Sequence, residues 1–187
     1  MRAPQAVLDF WFGPAPWAFR PEWFRKDPAF DETLRERFGP LVEQALAAPL
    51  GWGMAPAETL AEILVLDQFP RNLFRGQARA FAGDARARTL ARGLIDSGAH
   101  LQLHPLQRLF AYLPLEHAED PALQARSVAL FGALAAGHAG FDEVLDYAER
   151  HRDVIRRFGR YPHRNAALGR ASMPDELAYL AEPGAGF

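Results

Sequence analysis

Proline stands near the start, and glycine near the end, of one apolar-periodic segment after another, and this punctuation confines the chain to helices. Val7, Leu8, Phe10, Trp11 and Phe12 predict a short aromatic helix closed by Gly13-Pro14. Asp27-Pro28 reads as a cap and first turn for a segment carrying Phe30, Leu34, Phe38, Leu41, Val42 and Ala45, which Gly39-Pro40 should kink or split. Pro56 opens a third helix running to about Gln68, and Asp84 is expected to cap a fourth that ends at Gly98. His104-Pro105 begins a short helix stopped near Pro114, while Asp120-Pro121 begins one that ends at Gly137. A long helix through Phe141, Val144, Leu145, Ala148, Ile155 and Phe158 ends at Gly159, and Ser172 with Asp175 predicts a capping box for a last one. No stretch alternates long enough for a half-buried strand, so the class is all-α. The loop carrying Trp17, Phe19, Trp23 and Phe24 is too rich in rings to stay in water and is expected to pack down.

At 187 residues and 49% hydrophobic content there is material for one core, and a single helical domain over 1–187 is expected. The formal net charge of −2 argues against nucleic acid and anionic membrane as partners, although Arg150 to Arg170 is locally basic. The absence of cysteine excludes disulfides, thiolate metal sites and a cysteine nucleophile, and fits a reducing compartment. The first residues lack the features of a secretory signal or a membrane span, so the expected location is cytoplasmic.

Two segments resemble each other. QFPRNLFRG at 68–76 and RYPHRNAALG at 160–169 both place an aromatic-proline pair before Arg-Asn and a later glycine. Gln68, Arg71 and Asn72 in the first, and Arg160, His163, Arg164 and Asn165 in the second, offer charge-assisted donors for one anionic or polar group. Asp67, expected at a helix C-terminus where the backbone dipole disfavours an anion, needs a cation, and Arg71 and Arg164 have the right chemistry. A structural ion pair joining two loops is the competing reading. In LEHAEDP, His117 suits general acid–base work beside Glu116, Glu119 and Asp120. Their spacing matches no metal-ligand pattern, and neither metal nor cofactor is expected. His100 and His104 fall in a linker, and His151 reads as a packing histidine.

The stretches LDQFPRNLFRG, YLPLEHAED and RRFGRYPHRNAALGR, with LDFWFG at the start, resemble the bacterial domain-of-unknown-function family 924. That resemblance implies a helical fold similar to tetratricopeptide-repeat proteins, with degenerate hairpins. It also implies that Asp67, Gln68, Arg71, Asn72, His117, Glu119, Asp120, Arg160, His163, Arg164, Asn165 and Arg170 stand in signature motifs. It carries no activity with it. Two functional expectations follow. One is a pocket for a small carboxylate or phosphate metabolite, with His117, His163 and Asp67 as candidate catalytic groups and Gln68, Arg71, Asn72, Glu119, Arg160, Arg164 and Asn165 as binding groups. The other is a helical scaffold that grips a peptide or protein partner.

Overall fold

The computed structural model describes residues 3–186, and among them there are helices and turns but no strand. The helices are α1 (Ala3–Phe12), α2 (Pro28–Ala47), α3 (Pro56–Ile63), α4 (Phe69–Leu73), α5 (Asp84–Asp96), α6 (Pro105–Glu116), α7 (Pro121–Gly137), α8 (Asp142–Phe158) and α9 (Pro174–Leu180). No helix of the described residues is long and apolar enough to cross a membrane. Local chemistry sets most of their ends. Asp27 accepts from the backbone N–H of Ala29 and Phe30, and Asp120 accepts from Ala122 and Leu123, so each satisfies two donors that the first turn leaves open. Gly159 takes the left-handed conformation at φ 71° and donates to Ile155 O, closing α8.

Several boundaries depart from expectation, each for a physical reason. α2 runs unbroken through Gly39-Pro40, because Pro40 and Glu36 are both exposed and water serves the carbonyl that the proline ring deprives of a partner. α6 likewise continues past Pro114 to Glu116, held by burial of Leu109, Phe110 and Leu113 before the proline and Leu115 after it. Gly83, not Asp84, occupies the cap of α5; Asp84 is its first residue and serves as an ion-pair partner. Met173 occupies the cap of α9, one residue beyond the expected Ser172, with Glu176 accepting the Met173 N–H at 2.7 Å.

The third helix holds the largest departure. Phe69-Pro70 does not stop it: Leu64–Gln68 widens into a π-helical turn, with Phe69 N–H donating to Leu64 O, and α4 follows directly. Pro70 has no N–H for Leu66 O, so a wider turn at this point absorbs a defect that a regular helix would carry as a kink. Asp67 therefore lies within a continuous helical run and not at a C-terminus.

The described residues divide into two compact units, one running to Arg75 and including Arg79–Pro114, the other comprising Gly76–Ala78 and everything from Leu115. In the N-terminal unit Trp11 is fully buried among Trp23, Phe30, Phe69 and Phe110, with ring centroids 5.4–6.5 Å away. Trp23 is buried and donates its indole N–H to Trp11 O, as a loop that packs down should, while Phe19 and Phe24 keep exposed edges. His100 lies in a 3-10 turn and not in a bare linker: it is buried, with Nδ1 2.7 Å from the Tyr112 hydroxyl. In the C-terminal unit α7 packs along α8, and Val154, Ile155 and Tyr161 form a core with Phe158 and Tyr179 against it.

Candidate functional site

The end of α8 builds the most chemically loaded part of the C-terminal unit. Gly159 reverses the chain, and Pro162 starts a 3-10 turn, Pro162–Arg164, so that Tyr161 points inward and is completely buried. A buried phenol needs partners. Its hydroxyl donates to Glu116 O and lies 2.7 Å from Gln124 Nε2. Burial pushes the Tyr161 pKa far above its ordinary value, so the phenol stays protonated.

Three basic side chains surround this ring, and a fourth lies beyond them. The Arg164 guanidinium, itself buried, stacks over Tyr161 with its carbon 4.5 Å from the ring centroid. The His151 ring lies 5.6 Å away edge-on, and the His163 ring 5.5 Å away. His117 extends the series, 6.4 Å from His151. His117 and His163 are half-buried, whereas His151 is buried. His151 Nδ1 lies 2.8 Å from Tyr147 O and 3.2 Å from Glu116 Oε1, two acceptors that assign the proton to that nitrogen. Burial, helped by the positive charge of His117, His163 and Arg164, lowers its pKa from the ordinary histidine value to about 3. The contact with Glu116 is therefore a hydrogen bond from a neutral imidazole and not an ion pair at neutral pH.

A second set of polar groups braces this turn from outside. Glu119 accepts the Tyr161 N–H at 2.8 Å and takes Arg170 bidentately at 2.7 and 3.0 Å. Burial works to raise the Glu119 pKa, but the hydrogen bonds from Arg170 and the Tyr161 N–H outweigh it and hold it below the ordinary value. Arg170 also donates to Asn165 Oδ1 and Tyr161 O. Asn165 Nδ2 reaches Ser172 Oγ and Glu176, and Arg160 grips Glu176 at 2.6 and 2.8 Å. The hydrogen bond from Arg160, with that of the Met173 N–H, lowers the Glu176 pKa to about 2. In these contacts Arg160, Asn165 and Glu119 fix the shape of the turn that presents His163 and Arg164.

The first Arg-Asn segment belongs to the N-terminal unit. Arg71 donates to both Asp84 oxygens at 2.7 and 3.0 Å and to Asp67 O at 2.7 Å, with Asp67 Oδ1 3.3 Å from the same nitrogen. Gln68 Nε2 donates to Asp67 Oδ2 at 2.5 Å. Asn72 donates to Asp31 at 2.7 Å, and Arg75 holds that same carboxylate bidentately. These contacts lock α4 to α2 and to the start of α5. Elsewhere in this unit a cavity of about 710 Å³ opens beside α1 and α2, lined by Phe10, Phe12, Phe30, Arg20, Asp9 and Arg37 among others. It is bordered by no histidine, and Arg20 there is taken up by Phe10 O, Trp11 O and Glu22.

Sequence reasoning singled out His117, His163 and Arg164 and read His151 as a packing histidine, which its burial matches, but passed over Tyr161, Gln124 and Ser127. The available signal was a break in pattern: His151 interrupts the buried face of α8 between Ala148, Val154 and Ile155, and Gln124 and Ser127 interrupt the face that α7 shares with Phe131 and Leu134. No group of three His, Asp or Glu side chains among the described residues is placed to hold a metal ion.

The model of a family described as "Bacterial protein of unknown function (DUF924)" matches residues 7–184. A solved structure, the protein of unknown function ATU0120 from Agrobacterium tumefaciens, is 39% identical, covering 95% of this chain and 96% of its own, with a TM-score of 0.81. No curated protein matches.

Proposed function

The chain belongs to the DUF924 family of bacterial proteins of unknown function, and for it we propose a binding site for a small anionic metabolite, carboxylate or phosphate, at the Tyr161 cluster of the C-terminal unit. The observation that carries this reading is the buried Arg164 guanidinium, stacked on Tyr161 amid three imidazoles. A guanidinium in a low-dielectric setting attracts an anion more strongly than one in water. His117 and His163 are half-buried, and imidazole is the side-chain type best suited to proton transfer to a bound substrate. Acid–base chemistry without a metal is the most economical reaction this set supports.

Thermal shifts across a panel of carboxylates and phosphates test the reading, with Arg164→Ala, His117→Ala and His163→Ala compared against the parent protein. Stabilisation by some anion in the parent that Arg164→Ala abolishes supports it; identical responses in parent and variants refute it. A tetratricopeptide-like scaffold for a peptide or protein is the second reading. Two features favour it: α7 and α8 are equally long helices of 17 residues packed as a hairpin, and Met173 and Leu177 stand exposed beside each other around α9. A partner captured by the parent and lost by Leu177→Asp, with no anion response, selects that reading instead.

A further inference from the structure

The cavity beside α1 and α2 lies within the N-terminal unit and combines an aromatic floor with opposite charges at its two ends. Its volume of about 710 Å³ falls within the roughly 300–1,000 Å³ usual for ligand sites. Phe10 and Phe30, both half-buried, form the floor, with ring planes 20° apart and centroids 5.0 Å apart. α2 borders it through Ala29, Thr33 and Arg37, which recur every fourth residue and so share one face, and Asp27 caps the helix at one end. Asp27 and Arg37 therefore stand roughly 15 Å apart along the helix axis, at about 1.5 Å per residue. Glu22 belongs to the Asp27 end. Its own backbone hydrogen bond and Arg20 hold its carboxyl below the ordinary value, while burial and the charge of Asp27 oppose them. Arg37 belongs to the other end. Its guanidinium carbon lies 4.9 Å from the centre of the Phe10 ring and 5.2 Å from that of Phe38, and it makes no hydrogen bond or ion pair with any described residue.

We infer that this cavity binds a short extended peptide, whose ammonium end meets Glu22 and Asp27, whose carboxylate meets Arg37, and whose apolar side chains rest on Phe10 and Phe30. The site stands apart from the Tyr161 cluster and does not depend on the anion reading given to it. Charge complementarity carries the inference. The lining holds three carboxylates, Asp9, Glu22 and Asp27, and two guanidiniums, Arg20 and Arg37, so a simple anion is a poor match and a ligand with both charges a good one. Arg20 is already engaged with Phe10 O, Trp11 O and Glu22, which leaves Arg37 to receive a carboxylate on two parallel N–H donors. Among the acids, Asp9 accepts from Gln5, Glu22 from Arg20, and Asp27 from the first N–H groups of α2. A carboxylate has about four acceptor sites, so Glu22 and Asp27 keep room for an ammonium. Length then selects a peptide. One amino acid covers about 3.5 Å of chain, whereas four extended residues cover about 14 Å, close to the span between the charged ends.

The test titrates the full chain calorimetrically with the tetrapeptide Ala-Phe-Phe-Ala, free at both ends, acetylated, amidated, or blocked at both ends. The free peptide is expected to bind, and blocking either end is expected to weaken it about 5-fold, the upper worth of an exposed ion pair. Arg37 is exposed and pairs with no acid, so Arg37→Gln leaves the fold intact. This variant is expected to bind the free peptide about 5-fold more weakly than the parent and the amidated peptide equally well, because amidation and the substitution remove the same contact. A parent protein that binds no form of the peptide overturns the inference. Equal affinity for the free and doubly blocked forms overturns it as well, since apolar adhesion alone then explains the binding. Phenylalanine binding as tightly as the tetrapeptide overturns the claim of length. An Arg37→Gln protein that binds the free peptide as tightly as the parent removes the carboxylate from this cavity and ends the inference.

Discussion

Gly83→Ala is predicted to be among the most damaging single-methyl additions in the protein. Gly83 has φ −87° and ψ −11°, values any residue adopts, so its dihedrals do not require glycine. Space does: an added Cβ would lie 2.1 Å from Leu66 O, 2.9 Å from its carbonyl carbon and 3.0 Å from its Cα. All three are backbone atoms and have no rotamer to retreat into. The start of α5 packs there against the π-helical turn, at the carbonyl that Pro70 leaves without its usual N–H. To restore a carbon–oxygen separation of about 3.3 Å, the start of α5 has to back away by roughly 1.2 Å. That displacement stretches the Arg71–Asp84 bonds, now 2.7 and 3.0 Å, beyond hydrogen-bonding range. Overpacking of about 1–3 kcal/mol then adds to about 2 kcal/mol for the weakened pair, a total of about 3–5 kcal/mol. For a chain of this size the unfolding midpoint falls by roughly 6–20 °C. Thermal unfolding followed by circular dichroism reads this directly. Gly93→Ala is the control: it lies on the same helix with nothing within 4 Å of the added carbon, and should gain about 0.5–1 kcal/mol. A Gly83→Ala protein that melts at or above the parent midpoint refutes the reasoning.

Arg71→Ala should cost about 3 kcal/mol, because it removes the guanidinium that pairs with Asp84 and with the fully buried Asp67; combined with Gly83→Ala the two losses should be less than additive, since both break the Arg71–Asp84 pair. Chemical denaturation of the two single variants and the double variant measures this, and strict additivity would count against a shared mechanism. His151 gives a pH signature. Its folded pKa is about 3 and its ordinary value 6.5, so the unfolded chain binds the proton first as pH falls. The stability it contributes is complete above pH 6.5 and is lost from there down towards pH 3. Between pH 6.5 and 4.5 the loss amounts to about 2–3 kcal/mol, and His151→Gln should flatten the parent's pH dependence by that much, whereas parallel curves would show that His151 accepts a proton without cost.

How much was legible in the sequence follows the range of the interactions involved. Asp27-Pro28, Asp120-Pro121 and Gly159 place helix ends correctly because each acts on backbone groups within three or four residues, and no tertiary contact is needed to decide them. The all-helical class follows from the same local signals repeated along the chain. Where a proline meets a buried run the local rule loses, as at Pro70 and Pro114, since burial of neighbouring large side chains outweighs one missing N–H. Partner choice is likewise invisible locally. That Asp84 serves Arg71 instead of capping α5, and that Asn72 binds Asp31 41 residues away, depends on which helices come to lie side by side.

The candidate site divides along the same line. Its arginine and two of its histidines stand in short motifs and were legible as chemistry, because residue type and clustering suffice to suggest donors and proton carriers. The tyrosine at its centre, the third histidine and the polar residues Gln124 and Ser127 come from α7, α8 and the turn after Gly159. Only packing of α7 along α8 brings them together, because a helical face is selected by what covers it, and covering is a property of the folded chain.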